Sequence, residues 1–436
     1  MNYLEIVNLV FTIIFGIYAL FMLHFILIGF IGIIKKKKYP KTDIKYRYGV
    51  IIPARNEEKV VGGLIDSILA SDYPLELLDI FVIAHNCTDR TAEVARSKGV
   101  HVYEYSNPDE RTMGFAFKHL FEQIEKDYGT SSYDGFFLFN SDNIVAKDYF
   151  SKMNDAFHYF DKKHVVTSYR NSKNFGTNAI SGLYGIYFSM GCIFESRGRT
   201  VIGCSTRVQG TGYVIPSSIV KNGWKYTSLT EDWEFSVDQI IDGQIIKYCD
   251  EATFYDEQPT SFKIMWRQRV RWSRGHLLVC YDRLKDLVTN LFTRKGKNKF
   301  STYDMISNIL PFCLLLTLLG VIQFILVSLA PLFTDLSFYD VFISSNHNIF
   351  TSPGYLFSML RNAAISYATT VISAIGVFIL ERKRIQGVNI FKRILLCLIW
   401  PLFLALQFPM DVQAFFSKNL DWKPIPHEDH KTLTNV

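Results

Sequence analysis

The chain has 436 residues, 49% of them hydrophobic and 15% aromatic, a load high for a soluble enzyme and unevenly spread along the sequence. A balance of 47 basic to 41 acidic residues leaves a net charge of +6, too weak an excess to argue for a nucleic-acid partner. Seven scattered cysteines with no CxxC or Cys/His spacing speak for free thiols in a reducing compartment, against a disulfide frame or zinc site.

In chain order, Ile6 to Ile34 is a run without a formal charge. A helix of about 20 apolar residues crosses about 30 Å of hydrocarbon, so this run is long enough to span. Its positive charges follow it as Lys35-Lys36-Lys37-Lys38, and no small-residue cleavage site closes it. It therefore reads as an uncleaved anchor over residues 1–38, with the lysine end in the cytoplasm. From Arg47 to about Gly243 short apolar strands alternate with amphipathic helices. Strands are predicted at Tyr48–Pro53, Leu78–Ala84, Val100–Tyr105, Gly135–Phe139 and His164–Ser168. Between them lie helices over 57–70, 88–98, 114–126 and 147–159. That alternation predicts an α/β fold, a mostly parallel sheet with helices on both faces, over a cytoplasmic domain at 39–257. Ligands of such sheets collect beyond the carboxyl ends of the strands, where Pro53–Asn56, His85–Asp89 and Asn140–Asn143 all fall.

Residues 258–300 read as amphipathic interface helices and 301–416 as an α-helical transmembrane region of about three spans, Ile306–Phe333, Ala363–Leu380 and Ile394–Phe416. Arg382, Lys383, Arg384, Lys392 and Arg393 mark the loop between the last two as cytoplasmic. Parity then leaves 334–362 and the tail, 417–436, outside, although Pro401, Pro409 and Asp411 would allow a re-entrant last segment.

Four motifs carry chemistry. Asn140-Ser141-Asp142 ends a hydrophobic strand, and a Mg2+ ion on a diphosphate needs only one or two protein carboxylates. Thr230-Glu231-Asp232 offers carboxylates as proton acceptors. Gln209-Gly210-Thr211-Gly212 allows close backbone approach. In Gln268-Arg269-Val270-Arg271-Trp272, a helix would put Gln268, Arg271 and Trp272 on one face, a guanidinium for phosphate beside an indole for a sugar ring. The bland readings are a loop aspartate, an ordinary helix start and a basic helix lying on anionic headgroups.

These motifs, with Val50-Ile51-Ile52-Pro53-Ala54-Arg55-Asn56-Glu57 before them and Glu257-Gln258-Pro259-Thr260-Ser261-Phe262 between, resemble an inverting, processive family 2 glycosyltransferase of the cellulose synthase-like group. The resemblance runs from Val50 to the final spans. It implies a GT-A nucleotide-sugar domain, a UDP-sugar donor, Mg2+ or Mn2+, a bilayer and a nascent polysaccharide as partners, and a multi-pass protein of a bacterial plasma membrane. It implies donor contacts at Pro53, Ala54, Arg55, Asn56, Glu57, His85, Asp89, Asn140, Gln268 and Arg271, and a metal ligand at Asp142. Asp232 would be the general base, flanked by Thr230 and Glu231, with the acceptor at Trp272, Gln209, Gly210, Thr211 and Gly212. The sequence departs from the family pattern at His85 and Asn140, where acids are usual, and at Met113-Gly114, where many relatives carry Lys-Gly. No counterpart of the cellulose synthase gating loop is apparent. The expected reaction is polymerisation of glucose from UDP-glucose into a cellulose-like or mixed-linkage β-glucan and its export. The alternatives are poly-N-acetylglucosamine synthesis and, in another class, a catalytically silent membrane scaffold. The resemblance also covers the tail Trp422-Lys423-Pro424-Ile425-Pro426-His427, with no role attached to it.

Overall fold

A computed structural model describes residues 2–293, 298–343, 354–417 and 427. The chain opens with helix α1 (Tyr3–Ile34) and then alternates β1 (Tyr48–Ala54), α2 (Val61–Leu69), β2 (Leu78–His85), α3 (Thr91–Ser97), β3 (His101–Tyr105), α4 (Met113–Asp127) and β4 (Gly135–Leu138). There follow β5 (Ile144–Val145), α5 (Tyr149–Tyr159), β6 (Val166–Ser172), α6 (Ala179–Met190), a π-helical turn at Gly191–Arg197, α7 (Gly198–Val201), β7 (Tyr213–Pro216), α8 (Ser217–Val220), α9 (Glu231–Ile241) and β8 (Lys247–Asp256). The strands make one sheet in the order β3-β2-β1-β4-β7-β6-β8-β5. Pairings β1/β2, β1/β4, β2/β3 and β6/β8 are parallel. β4/β7, β6/β7 and β5/β8 are antiparallel, so the sheet is more mixed than the alternation of elements predicts.

Alternation along β1 splits the core. Val50 and Ile52 pack with Leu64, Ile65 and Phe150 on the α2/α5 side. Ile51 packs with Phe117, Leu120 and Phe235 on the α4/α9 side. Gly114, in the Met-Gly departure, opens α4 where a Cβ would lie 2.1 Å from the Tyr226 carbonyl oxygen, so glycine there serves close packing.

Beyond the sheet, α10 (Phe262–Thr293) is a single helix, followed by α11 (Lys299–Ile309), α12 (Phe312–Ser328), α13 (Phe338–Phe342), α14 (Tyr355–Leu380), α15 (Ile390–Ala405) and α16 (Gln407–Phe416). Four helical stretches among the described residues are long and apolar enough to cross a membrane: Tyr3–Ile34, Phe312–Leu332, Tyr355–Leu380 and Ile390–Phe416. The run expected from Ile306 is broken at Pro311, and α11 packs on α9 and α10 instead. α1 is docked backbone to backbone: a Cβ on Gly32 would meet the Ile193 oxygen at 2.2 Å, and one on Gly198 the Ile28 oxygen at 2.0 Å. Below this contact the buried Arg197 pairs with Asp250 and with Glu381 at 2.7 Å, and Arg384 reaches the same two carboxylates.

The fourth apolar stretch is interrupted at Leu406. α15 ends at Ala405 and α16 starts at Gln407. At the front of α15, Lys392 Nζ donates to the Gly176 carbonyl. At its far end Arg269 of α10 donates to the Phe403 carbonyl (3.0 Å) and Gln407 Oε1 (2.7 Å), and Trp266 Nε1 donates to Gln413 Oε1 (2.7 Å). The front of α15 is thus tied to the loop before α6, and its far end and α16 to α10. Parity counting put the tail on the opposite side. His427, hydrogen-bonded to Glu57, corrects that; Trp422–Pro426 lie outside the described residues.

Candidate active site

The sheet order reverses between β1 and β4, and a crevice opens beyond their carboxyl ends. It widens into a cavity of about 730 Å³. Pro53, Ala54, Arg55, Glu57 and His85 line one end; Asn140, Asp142, Gln209, Gly210, Thr230, Glu231 and Asp232 line the middle. Gln268, Arg271 and Trp272 enter from α10, so the three share one face of that helix as their spacing requires. Past them the walls are Leu310, Pro311, Phe312, Leu404 and Gln407, at the base of the apolar helices.

Four of the anticipated residues stand behind the wall. Asn56 adopts φ 59° and its Oδ1 accepts from Thr88 N at 2.7 Å, stapling the two loops together. Asp89 accepts from Thr91 N (3.1 Å) and Glu58 N (3.1 Å), the local capping role open to an early helical carboxylate, and does not line the cavity. Thr211 Oγ1 accepts from Asn140 N at 2.9 Å and bonds Asn143, which fixes the backbone of the loop after β4. Gly212 has φ +70°, and a Cβ there would lie 2.0 Å from the Phe254 ring. Thr211 and Gly212 stand behind Gln209 and Gly210, which line the cavity.

His85 bonds the Glu110 carbonyl through Nε2 at 2.8 Å and lies nearly parallel to Tyr105, ring centres 5.6 Å apart. Burial lowers its pKa and favours the neutral ring, a flat polar surface where an acid would have been charged. Asp142 Oδ2 accepts from Glu257 N at 2.9 Å, and its carbonyl accepts from the buried Lys173 at 2.9 Å. Glu57 and Glu257 share this end of the cavity, and His427 Nδ1 donates to the Glu57 carboxylate at 2.9 and 3.0 Å. Burial lowers the His427 pKa, but Asp142 and Glu57 overcome it and carry it to about 9. No group of three or more His, Cys, Asp or Glu among the described residues is arranged to hold a metal unaided. The donor set nevertheless suits a hard cation that arrives with a diphosphate: one loop carboxylate with acidic neighbours, and a buried Asn140 Oδ1 that has no partner among the described residues.

Across the cavity α9 begins with Glu231 and Asp232. Burial pushes the Asp232 carboxyl up, against the pull of Arg207, Arg271 and Arg170. Glu231 is pushed up by burial and by the Asp232 charge. Arg271 donates to the Leu229 carbonyl at 2.8 Å, and Gly275 lets α10 press on Thr230, since a Cβ there would come within 2.5 Å of that side chain. Gln268 Oε1 accepts from Tyr184 Oη at 2.8 Å. The Trp272 indole meets Tyr184 and Phe188 edge-on, and the Arg170 guanidinium lies 3.5 Å over the Phe188 ring. Chemically the arrangement puts a hard-cation position, phosphate-binding guanidinium groups, a raised carboxylate and an aromatic platform around one volume.

Motif reading missed Lys173, Arg207 and Asp256, which the sheet brings to the site from unrelated stretches. Arg170 donates to Asp256 Oδ2 at 2.7 Å and to the Gln209 carbonyl at 2.8 Å, so the Gln209 loop hangs on an ion pair that no local pattern announces.

Comparison with known proteins bears on this geometry. The profile of the family described as "Glycosyltransferase like family 2" matches residues 46–275. The chain is 25% identical over 245 residues to "Probable glycosyltransferase YdaM" of Bacillus subtilis, a match covering 56% of this chain and 57% of that protein. It is 24% identical over 295 residues to "Poly-beta-1,6-N-acetyl-D-glucosamine synthase" of Staphylococcus aureus, covering 65% of this chain and 67% of that one. In fold it is similar to "Mannosyltransferase PcManGT from Pyrobaculum calidifontis in complex with GDP-Man and Mn2+", with a TM-score of 0.60 at 12% identity over 93% of this chain and 98% of that chain.

Proposed function

The chain belongs to glycosyltransferase family 2, and from that premise we propose a membrane-embedded, inverting polysaccharide synthase that draws on a UDP-sugar and works from the cytoplasmic face. The observation that carries this reading is the convergence of Asp142, Asp232 and the Gln268/Arg271/Trp272 face on one cavity that continues toward the apolar helices. Pro53, Ala54, Arg55 and His85 would receive the nucleoside, with Gln268 and Arg271 on the diphosphate side. Asp142, with Glu57 and Glu257 close by, would hold Mg2+ or Mn2+, which supplies charge to stabilise the departing diphosphate. Asp232 removes the proton of the acceptor hydroxyl as that oxygen attacks the anomeric carbon from the face opposite the leaving group. Glu231 and Thr230 set the position of that carboxylate, and Gln209 and Gly210 border the acceptor.

Of the two polymers anticipated, the name of the Staphylococcus aureus relatives supports N-acetylglucosamine over glucose as the sugar. The Thr-Glu-Asp motif is compatible with both. Membranes containing the protein, given labelled UDP-N-acetylglucosamine and UDP-glucose separately, should incorporate the former into polymer. Incorporation from UDP-glucose alone would return the reading to a β-glucan, and metal-dependent release of UDP from neither would favour a silent scaffold.

Trp272→Ala is expected to shorten the product. The indole offers the flat apolar face on which a sugar ring rests, so its loss speeds acceptor release more than it slows chemistry. Product length should fall several-fold, while UDP release per enzyme falls less than about tenfold, an acceptor contact being worth about 1 kcal/mol. Sizing the labelled product checks it.

A further inference from the structure

Asp232 receives a proton in the proposed transfer, and the acceptor sugar must be held in place while it gives one. Beside this carboxylate, Arg207 and His276 both rest on the Trp233 indole. The Arg207 guanidinium lies 4.5 Å from the ring centre, and the His276 ring stacks at 4.5 Å with 22° between the planes. All three side chains line the cavity, and Trp233 follows Asp232 directly in α9. Gly210, three residues beyond Arg207, stands where a Cβ would lie 3.7 Å from Asp232 Oδ2, so this stretch of chain passes close to the base. His276 follows Trp272 by four positions and continues the cavity face of α10 by one turn.

Arg207 is fixed from behind by a line of charges. Its Nη2 lies 3.4 Å from Glu195 Oε2, and Glu195 in turn faces Arg199 at 3.9 Å. Arg199 donates to Asp304 Oδ2 at 2.7 Å, and His24 of α1 bonds Asp304 Oδ1 at 3.1 Å. With one edge on Glu195 and its plane on an indole, the guanidinium keeps a buried Nε that has no partner among the described residues, and the same holds for His276 Nε2. Buried polar nitrogens are ordinarily hydrogen-bonded, so two of them on one wall of a substrate cavity mark places for the oxygens of a ligand. A pyranose suits them. Its apolar face rests on Trp272, and further oxygens flank the hydroxyl that reacts. A hydroxyl both donates and accepts, so it serves either tautomer of His276. Resting on the proposed glycosyl transfer, we propose that Arg207 and His276 are acceptor-binding residues, which hold the oxygens next to the hydroxyl presented to Asp232.

The test uses the full-length protein in detergent with Mn2+, UDP-N-acetylglucosamine and an N-acetylglucosamine oligosaccharide as added acceptor, or the glucose counterparts if the wild type incorporates glucose. Arg207→Gln and His276→Phe should each raise the acceptor KM about three- to tenfold, the effect of one lost hydrogen bond. The donor KM, and UDP affinity by calorimetry, should stay within about twofold. His276→Phe keeps a ring against Trp233, so it removes the nitrogens and little of the packing. Arg207→Lys keeps the charge without the planar fork and should recover only part of the acceptor KM. If Arg207→Gln does not fold, Arg207→Lys replaces it on the same readouts. An acceptor KM unchanged in either folded variant overturns the inference. So does a loss of UDP affinity as large as the acceptor effect, which would assign these side chains to the donor. The two readings fail differently. If the wild type transfers sugar and the variants match it, only the acceptor assignment falls; if the wild type neither binds nor releases UDP, glycosyl transfer falls and the acceptor assignment with it.

Discussion

Asp232→Asn should abolish sugar transfer and leave UDP binding intact. The two side chains are nearly isosteric, so the cavity keeps its shape, but the amide cannot accept the acceptor's proton. Positioned proton transfer accounts for about 10²–10⁴-fold in rate, and a loss in that range or beyond is expected in kcat. Asp232 lies at the start of α9 and Asp142 in the loop after β4, so UDP affinity measured by calorimetry should stay within about twofold, as for any contact made only in the transition state. An equal fall in UDP affinity would contradict the role of base. The pH profile supplies a second check. Burial raises both Asp232 and Glu231, and the two titrate together, so the base becomes competent as pH rises through values above the ordinary carboxylate range. The acid limb of kcat/KM should sit above about pH 4, the usual position for a carboxylate, because burial raises Asp232.

Much of the catalytic end is legible in local sequence because its signals are local. The hydrophobic run before Asn140 marks a strand end, and the i, i+3, i+4 spacing of Gln268, Arg271 and Trp272 marks a helix face; both bring their residues to the cavity. What escapes local reading is decided by partners distant in the chain. Asn56 and Asp89 resemble substrate contacts in sequence, but Thr88 and Thr91 engage their side chains. The antiparallel insertion of β7 between β4 and β6 is a pairing choice that alternation of strands and helices does not encode. Hydropathy measures the length of an apolar run and not its path, so 390–416 looks like one crossing although its two ends hold to α10 and Gly176. Pro401 sits inside α15 without ending it, and the turn comes five residues later at Leu406. The contact between His427 and Glu57 is invisible for the same reason: nothing near residue 57 in sequence requires an imidazole.

The largest stability effect is expected where the sheet-bearing domain meets the apolar helices. Arg197 is 2% exposed, and Asp250 and Glu381 are 3% and 2% exposed, with Arg384 closing the cluster through a 3.3 Å contact to Asp250. Burial alone would raise the Asp250 carboxyl, but Arg384 and Arg197 hold it down at about 2. Asp250→Ala leaves two guanidinium groups facing one carboxylate in a buried setting. Breaking such a pair from one side costs about 3–5 kcal/mol, because the remaining charge has lost its counterion and gained no water. The exposed Arg47–Asp79 pair is the control: Asp79→Ala should cost no more than about 1 kcal/mol. In detergent the Asp250→Ala protein should unfold at least about 5 °C below the wild type, and the control within about 2 °C. The sign with pH follows from the depressed value: the carboxylate's contribution is complete above about pH 4, the ordinary unfolded value, and is lost as pH falls toward 2. The gap between wild type and Asp250→Ala should therefore be wide at pH 7 and narrow on acidification. A gap unchanged by acid would mean that packing around Tyr169, against whose ring Arg384 lies at 3.8 Å, holds this joint together in place of charge.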